Sequence, residues 1–347
     1  MEFSKSLIEW YLLNKRDLPW RHTQDPYRVF LSEIILQQTR VNQGLPYYLE
    51  FTRKYPTVID LANANEQEVL KTWQGLGYYS RARNLHFTAQ VIANERQGVF
   101  PNNYTELLKL KGIGEYTAAA MASFCFKEPV AVVDGNVFRV LSRVFGIEID
   151  IATNASKKIF QQKATELLPI DAPDLFNQAI MEFGALQCKP KNPDCSICIF
   201  NTDCIAFNLN KVAQLPVKIS KLKVKKQYLH YFVAIDSNQK TLVQKRTQPG
   251  IWRNLYEFPL FESNDAGEIE NITPIVQELF KAIEIKEIIK HEAPIKHKLT
   301  HRELHIQFWI LKTESLPQNS TSISEINQYP FPIVIADFIK NNLPAVF

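Results

Sequence analysis

The sequence predicts a multidomain chain in which an all-α domain is followed by an α+β domain. Apolar residues recur at spacings of three and four, with few β-branched runs, as far as about residue 208. Beyond about residue 227 they recur at every second residue, the period of a strand. Between these lies a stretch holding Lys211, Lys218, Lys221, Lys223, Lys225, Lys226 and Pro216, with no acidic residue. Like charges repel, so this stretch is expected to stay extended. The expected organisation is a helical domain over 1–208, a basic linker over 209–226 and a second domain over 227–347.

Composition agrees with two folded domains and says little more. The chain has 347 residues, of which 46% are apolar, enough for real cores. Its net charge of +4 is mild and does not by itself name a partner. The N-terminus enters helical spacing at once (Phe3, Leu7, Ile8, Tyr11, Leu12), with Glu2 and no unbroken apolar core, which argues against a signal peptide. No apolar run approaches bilayer-spanning length. The expectation is a cytoplasmic, monomeric protein without membrane partners, whose cysteines are reduced.

Next in order, Leu107-Leu-Lys-Leu-Lys-Gly112-Ile-Gly114-Glu-Tyr116-Thr117 reads as a helix, a tight Gly-x-Gly turn and a new helix. Gly112 and Gly114 let backbone approach a ligand, and the new helix N-terminus offers free N–H groups to a phosphate. Such a hairpin suits DNA contact without sequence readout, and it also suits a plain turn between helices. No Gly-x-Gly-x-x-Gly or Gly-Lys-Ser/Thr occurs, so nucleotide-binding loops are not supported. Asp134, in Val132-Val-Asp134-Gly-Asn-Val-Phe, stands where a helix should begin. An N-cap explains it, and a capping carboxylate near a positive helix end stays ionised.

Four of the five cysteines follow: Cys188, Cys195, Cys198 and Cys204, spaced Cys-x6-Cys-x2-Cys-x5-Cys. Tetrahedral zinc sites usually come as two separated Cys-x2-Cys knuckles. One knuckle flanked by wider gaps fits a thiolate cage around an iron–sulfur cluster better, and disulfides would need an oxidising compartment. After the lysines, Leu229, Tyr231, Val233 and Ile235 alternate with their neighbours. Asp236-Ser237-Asn238 reads as a turn, and a strand is expected over 241–246. Leu304, Ile306, Phe308 and Ile310 form another alternation.

The hairpin, the aspartate twenty residues on and the cysteine spacing together resemble the helix-hairpin-helix DNA glycosylases of the endonuclease III superfamily. Three further segments resemble its adenine DNA glycosylase (MutY type) branch: Leu18-Pro-Trp20-Arg21, Ser32-Glu33-Ile-Ile-Leu-Gln37-Gln38-Thr39-Arg40-Val41, and Gly75-Leu-Gly77-Tyr78-Tyr79-Ser80-Arg81. The likeness covers most of 1–208. It implies a base-flipping, monofunctional enzyme that hydrolyses the N-glycosidic bond of adenine opposite 8-oxoguanine or guanine in double-stranded DNA, and a [4Fe-4S] cluster on the four cysteines. Flipping is required because the sugar–base bond is inaccessible in a stacked duplex.

The resemblance also implies roles. Glu33 matches the general acid that protonates adenine N7, and its neighbours Phe30, Leu31, Ile34 and Ile35 promise the apolar setting that raises a carboxyl pKa. Asp134 would stabilise the cationic sugar. Tyr116 stands one residue before Thr117, where lyase relatives carry a Schiff-base lysine, so no imine can form at that position. Trp20, Arg21 and Leu36 match the adenine pocket. Gln178 occupies a position that takes Glu or Gln, and an amide can pair with adenine. Gln38 and Tyr78 match residues that wedge beside the flipped base, although Tyr78 also fits a buried core position.

The second domain resembles a Nudix-like domain, through Gly250-Ile-Trp252-Arg-Asn-Leu-Tyr-Glu257-Phe258-Pro259. It lacks the clustered Arg-Glu-x2-Glu-Glu carboxylates of a hydrolase, so lesion recognition is the implied role. Leu299-Thr300-His301 stands where the family often has Phe-Ser-His touching 8-oxoguanine, which loses an aromatic and keeps a hydroxyl. Competing readings are a pyrimidine glycosylase and lyase, which Tyr116 opposes, and a non-catalytic iron–sulfur DNA-binding protein, which the presence of both Glu33 and Asp134 opposes.

Overall fold

The structure is a computed structural model that describes residues 2–219, 224–263, 272–291 and 294–343. Contact density divides the chain into two compact units, Met1–Asn63 with Asn84–Ser220, and Ala64–Arg83 with Lys221–Phe347. The second unit therefore includes a segment from within the expected helical domain. Sequence period could not separate it, because its helix Glu66–Thr72 has ordinary helical spacing.

The first unit is helical. Four helices build much of its core: Glu2–Asn14, Gly135–Phe145, Asn154–Leu167 and Pro173–Leu186. Their apolar faces meet at fully buried Leu7, Val140, Phe160, Phe176 and Phe183. Local signals set the ends. Asp25 caps Pro26–Leu36 by accepting from the Tyr27 N–H, and Pro26 takes the first helical position, where its missing N–H removes no bond. Asp134 caps Gly135–Phe145, which stops at Gly146 with φ +64.

The hairpin is shorter on its first side than the sequence suggests. Tyr104–Leu107 makes one helical turn, and residues 108–112 continue as tight turns into Glu115–Phe126, whose N-cap is Gly114. Gly112 takes φ +81, and a Cβ there would lie 2.6 Å from the Asn84 Cβ. Only glycine fits that close approach.

The stretch expected to be an extended linker is in part packed. Leu215 is buried, its carbonyl accepts from Arg143 Nε, and the Val217 carbonyl accepts from the Ile151 N–H. Leu215 and Val217 join the first unit's core, because apolar burial outweighs repulsion among separated lysines. Lys225 and Lys226 already belong to a strand, and the expectation for Lys221 and Lys223 lies outside the described residues.

In the second unit, Lys225–Ile235 and Arg302–Thr313 pair in parallel from Lys225↔Arg302 to Ile235↔Lys312 and form the centre of a seven-stranded sheet. Ile285–Lys290 and Ile295–Lys298 extend the sheet beside Arg302–Thr313. Leu260–Ser263 and Lys240–Thr241 pair with the other central strand. The alternation at 229–235 gives way to burial on both faces from Tyr231 onward. Val276 of helix Thr273–Leu279 packs with Phe232 and Ala234, and Phe338 of helix Ile333–Asn342 stacks on Phe308 with ring centroids 3.8 Å apart. The expected strand over 241–246 is split into Lys240–Thr241 and Gln244–Lys245.

Candidate active site

Pro26–Leu36 is apolar on nearly every side, so the carboxyl of Glu33 is buried with its helix and only 6% exposed. Burial disfavours its charged form and raises its pKa to about 7. A hydrogen bond from the Tyr116 hydroxyl pulls the other way, and the neighbouring Asp134 pushes it up further. Tyr116 reaches it from Glu115–Phe126, the helix that begins at the hairpin.

Asp134 arrives from a third helix start. Its Oδ1 accepts the N–H groups of Asn136 and Val137, both at 2.8 Å, and its Oδ2 accepts the Asn136 amide at 2.8 Å. Burial raises its pKa, and these three donors oppose that by favouring the anion. The two carboxyls thus sit in unlike settings. Glu33 has an apolar surround, whereas Asp134 has donors and a positive helix end. Burial raises both pKa values, and only at Asp134 do three donors work to keep the anion.

Glu33, Asp134 and Tyr116 line one cavity of about 510 Å³, and so do Trp20, Arg21, Leu36 and Gln178. Trp20 is held edge-on against Tyr48 with ring centroids 5.0 Å apart. Gln178 accepts the Tyr11 hydroxyl at 2.7 Å. Arg21 does not stand free in the pocket. Its guanidinium grips both oxygens of Glu182, at 2.9 and 2.6 Å, and Arg16 grips the same carboxylate at 2.8 and 2.6 Å. Glu182 is buried, which alone would raise its pKa, but the two arginines bring it down to about 2. Sequence reasoning missed Arg16, Glu182 and Asn136, all of which line the cavity. Local signals point to two of them: Asn136 follows Asp134 by two residues, and Glu182 follows Gln178 by one helical turn.

Gln38, Gly112 and Gly114 are exposed and lie outside that lining. Gln38 takes φ +58 just beyond the helix that carries Glu33. In the second unit, Tyr78, Thr300 and His301 line a cavity of about 520 Å³ with Gly77, Gly250 and Trp252. Tyr78 is 47% exposed rather than a core residue, takes φ +47, and its hydroxyl hydrogen-bonds Thr300 Oγ1. The Arg81 guanidinium lies 5.6 Å from the Tyr78 ring and 5.1 Å from that of Trp73, fixing the turn between them.

Cys188, Cys195, Cys198 and Cys204 are free thiols lining one cavity. Among the described residues, no three His, Cys, Asp or Glu side chains converge to hold a metal ion. Burial pushes Cys198 up to about 11, so a thiolate here needs nearby positive charge. Arg143 donates to Cys188 Sγ at 3.4 Å and to the Lys189 carbonyl at 2.7 Å, and Arg139 donates to the Cys188 carbonyl at 2.7 Å. Both arginines belong to the helix that Asp134 caps. One helix thus anchors the thiol loop and carries the Asp134 cap that lines the cavity.

A helical unit with a Gly-x-Gly hairpin, carrying a buried glutamic acid of raised pKa beside a capping aspartate, is that of a base-excision DNA glycosylase. Residues 31–169 match the HhH-GPD superfamily base excision DNA repair proteins, and residues 230–341 match the NUDIX domain. The adenine DNA glycosylase of Buchnera aphidicola subsp. Baizongia pistaciae is 35% identical over 89% of this chain and 86% of its own. That of Homo sapiens is 42% identical over 59% of this chain and 39% of its own. Among solved structures, a thermostable thymine-DNA glycosylase is 31% identical, with a TM-score of 0.55 over 60% of this chain and 95% of its own. An endonuclease III–DNA complex shares the fold at 20% identity and a TM-score of 0.53, over 60% of this chain and 95% of its own. The chain belongs to the adenine DNA glycosylase family. Among the described residues, no helix is long and apolar enough to cross a membrane.

Proposed function

We propose that this protein releases adenine from double-stranded DNA, where adenine stands opposite 8-oxoguanine or guanine, by hydrolysing its N-glycosidic bond. The observation that carries the reading is the pair of unlike carboxyls in one cavity. Glu33, with a pKa of about 7, holds a proton near neutral pH and donates it to N7, so the base leaves uncharged. Asp134, held by three donors, supplies the negative charge that an oxocarbenium-like sugar requires. The cavity is large enough for a purine, and a duplex base would have to leave its stack to enter it. Tyr116 offers a hydroxyl and no amine, so the reaction ends at base release. Expected DNA contacts are the hairpin at Gly112 and Gly114, with Gln38 and Tyr78 beside the vacated stack. Thr300 and His301, in a unit of their own with Tyr78, are proposed to read the base opposite. The domain division at 209–226 and a monomeric, cytoplasmic state belong to the same reading.

The four cysteines fit a [4Fe-4S] cluster. They share one cavity, and Arg143 supplies an N–H to the Cys188 sulfur, a contact that tunes such centres. Bound there, the cluster would organise the loop that the Asp134 helix anchors. The proposal is tested by base release from duplexes carrying A opposite 8-oxoguanine, A opposite G, and oxidised pyrimidines. Release from the first two, with little borohydride-trapped adduct, is expected. Release of oxidised pyrimidines with efficient trapping would overturn it.

A further inference from the structure

Tyr11 lies on the first helix, is 2% exposed, and takes no part in the chemistry described above. Its hydroxyl donates to Gln178 Oε1 at 2.7 Å, and its ring lies beneath the Arg21 guanidinium, 5.7 Å from centroid to cation. A buried hydroxyl needs an acceptor, and the amide oxygen is the one it meets. With the carboxamide turned over, the hydroxyl could accept the amide N–H, but its own O–H would lose the acceptor it has here, so the contact favours the oxygen facing Tyr11. Among the described residues, the Gln178 amide nitrogen donates to no protein group, so it remains available to a base in the cavity.

The order of donor and acceptor along a purine edge decides what such an amide can pair with. Adenine offers the N6 amino donor beside a ring-nitrogen acceptor, and the amide oxygen and amide N–H match it in that order. A 6-oxopurine offers the reverse along its N1 edge, an acceptor at O6 and a donor at N1. A carboxamide free to turn over matches both. One held by its oxygen matches only adenine. We propose that Tyr11 is a specificity-determining residue, which locks the Gln178 carboxamide in the orientation that accepts adenine and rejects 6-oxopurines. The inference rests on the proposed adenine-releasing function and adds to it the device that excludes hypoxanthine and guanine.

The test compares single-turnover release of adenine and of hypoxanthine, each opposite 8-oxoguanine, by the full chain. Tyr11→Phe keeps the ring under Arg21 and removes only the hydroxyl. It is expected to lower the adenine-to-hypoxanthine rate ratio by about tenfold or more, the discrimination typical of one base-edge contact. On a Gln178→Glu background the same change is expected to leave the ratio unaltered, because a carboxylate has no orientation to fix. A purely structural role for Tyr11 would slow both substrates together and would do so on both backgrounds. Equal slowing of both bases, or an unchanged ratio, would overturn the inference while leaving the proposed function intact. Failure of the unaltered protein to release adenine would overturn the function itself.

Discussion

Glu33 sets two opposing demands on one side chain. A proton donor must be buried to hold its proton at neutral pH, and burial makes the ionised form costly to the fold. Glu33→Gln is expected to reduce single-turnover adenine release by about 10²–10⁴-fold while duplex affinity survives. The same change should stabilise the protein at alkaline pH. The folded pKa of about 7 lies above the ordinary 4.5, so the native state binds more protons between these values. Stability therefore falls as pH rises from about 4.5 through about 7, and glutamine removes that loss, which is on the order of 1–3 kcal/mol. Thermal unfolding of both proteins at pH 5 and pH 8.5 measures it, with a much wider gap at the higher pH. Tyr116→Phe removes a hydrogen bond that lowers the Glu33 pKa. The alkaline limb of the pH–rate profile is expected to move upward, and a limb that moves downward would contradict the assignment of Glu33 as the acid. The Glu33 surround was legible in the sequence because Phe30, Leu31, Ile34 and Ile35 lie within one turn of it. Its second neighbour, the ion cluster of Arg16, Arg21 and Glu182, was not, since those partners are more than 160 residues apart.

The helix Gly135–Phe145 joins three tasks along its length. Its N-cap is the proposed charge stabiliser, its body packs Val137, Val140 and Leu141 into the core, and its arginines hold the cysteine loop. Asp134→Asn separates the first task from the others, because asparagine caps helices about as well as aspartate. The expected result is loss of adenine release with a melting temperature changed by no more than a few degrees. A large fall in stability would mean that the charge, rather than the cap, holds the helix. The cysteine loop allows a second test. Anaerobically purified protein is expected to be brown with about four irons and matching sulfide, as four thiolate ligands imply. Cys198→Ser should lower both soluble yield and iron content, because a loop without its metal loses its organising centre. Stoichiometric zinc without sulfide would reject the cluster. The hairpin was legible from Gly112 and Gly114 because backbone freedom is written in residue type. The shortness of its first helix was not, since nothing in Leu108-Lys-Leu-Lys distinguishes turns from a continuing helix.

Two folded units and a positively charged junction were readable from the change in apolar period and the run of lysines. The assignment of Ala64–Arg83 to the later unit was not, because its partners lie near the far end of the chain. Lys71 donates to the Tyr329 carbonyl, Tyr79 to the Phe331 carbonyl, and Asn254 to Glu66. Removing everything beyond Lys211 would therefore strip Leu215 from the first core and leave 64–83 without these bonds. A cleaner test of lesion reading is Thr300→Ala with His301→Ala in the full chain. The expected outcome is a loss of about 1–3 kcal/mol in discrimination between 8-oxoguanine and guanine opposite adenine, measured as the ratio of single-turnover rates at fixed salt. An unchanged ratio would remove the recognition role from these residues.

That same long-range pairing governs the order in which the protein can become native. Gln74 and its partner Phe331 are 257 residues apart. At a synthesis rate of about 5–20 residues per second, the turn that presents Tyr78 waits roughly 10–50 s on the ribosome for the strands and helix that complete its unit. The helical unit, interrupted by this segment, must close around an excursion that has nothing yet to pack against. A nascent chain therefore carries this turn unfinished until Phe331 has been made, 257 residues after Gln74.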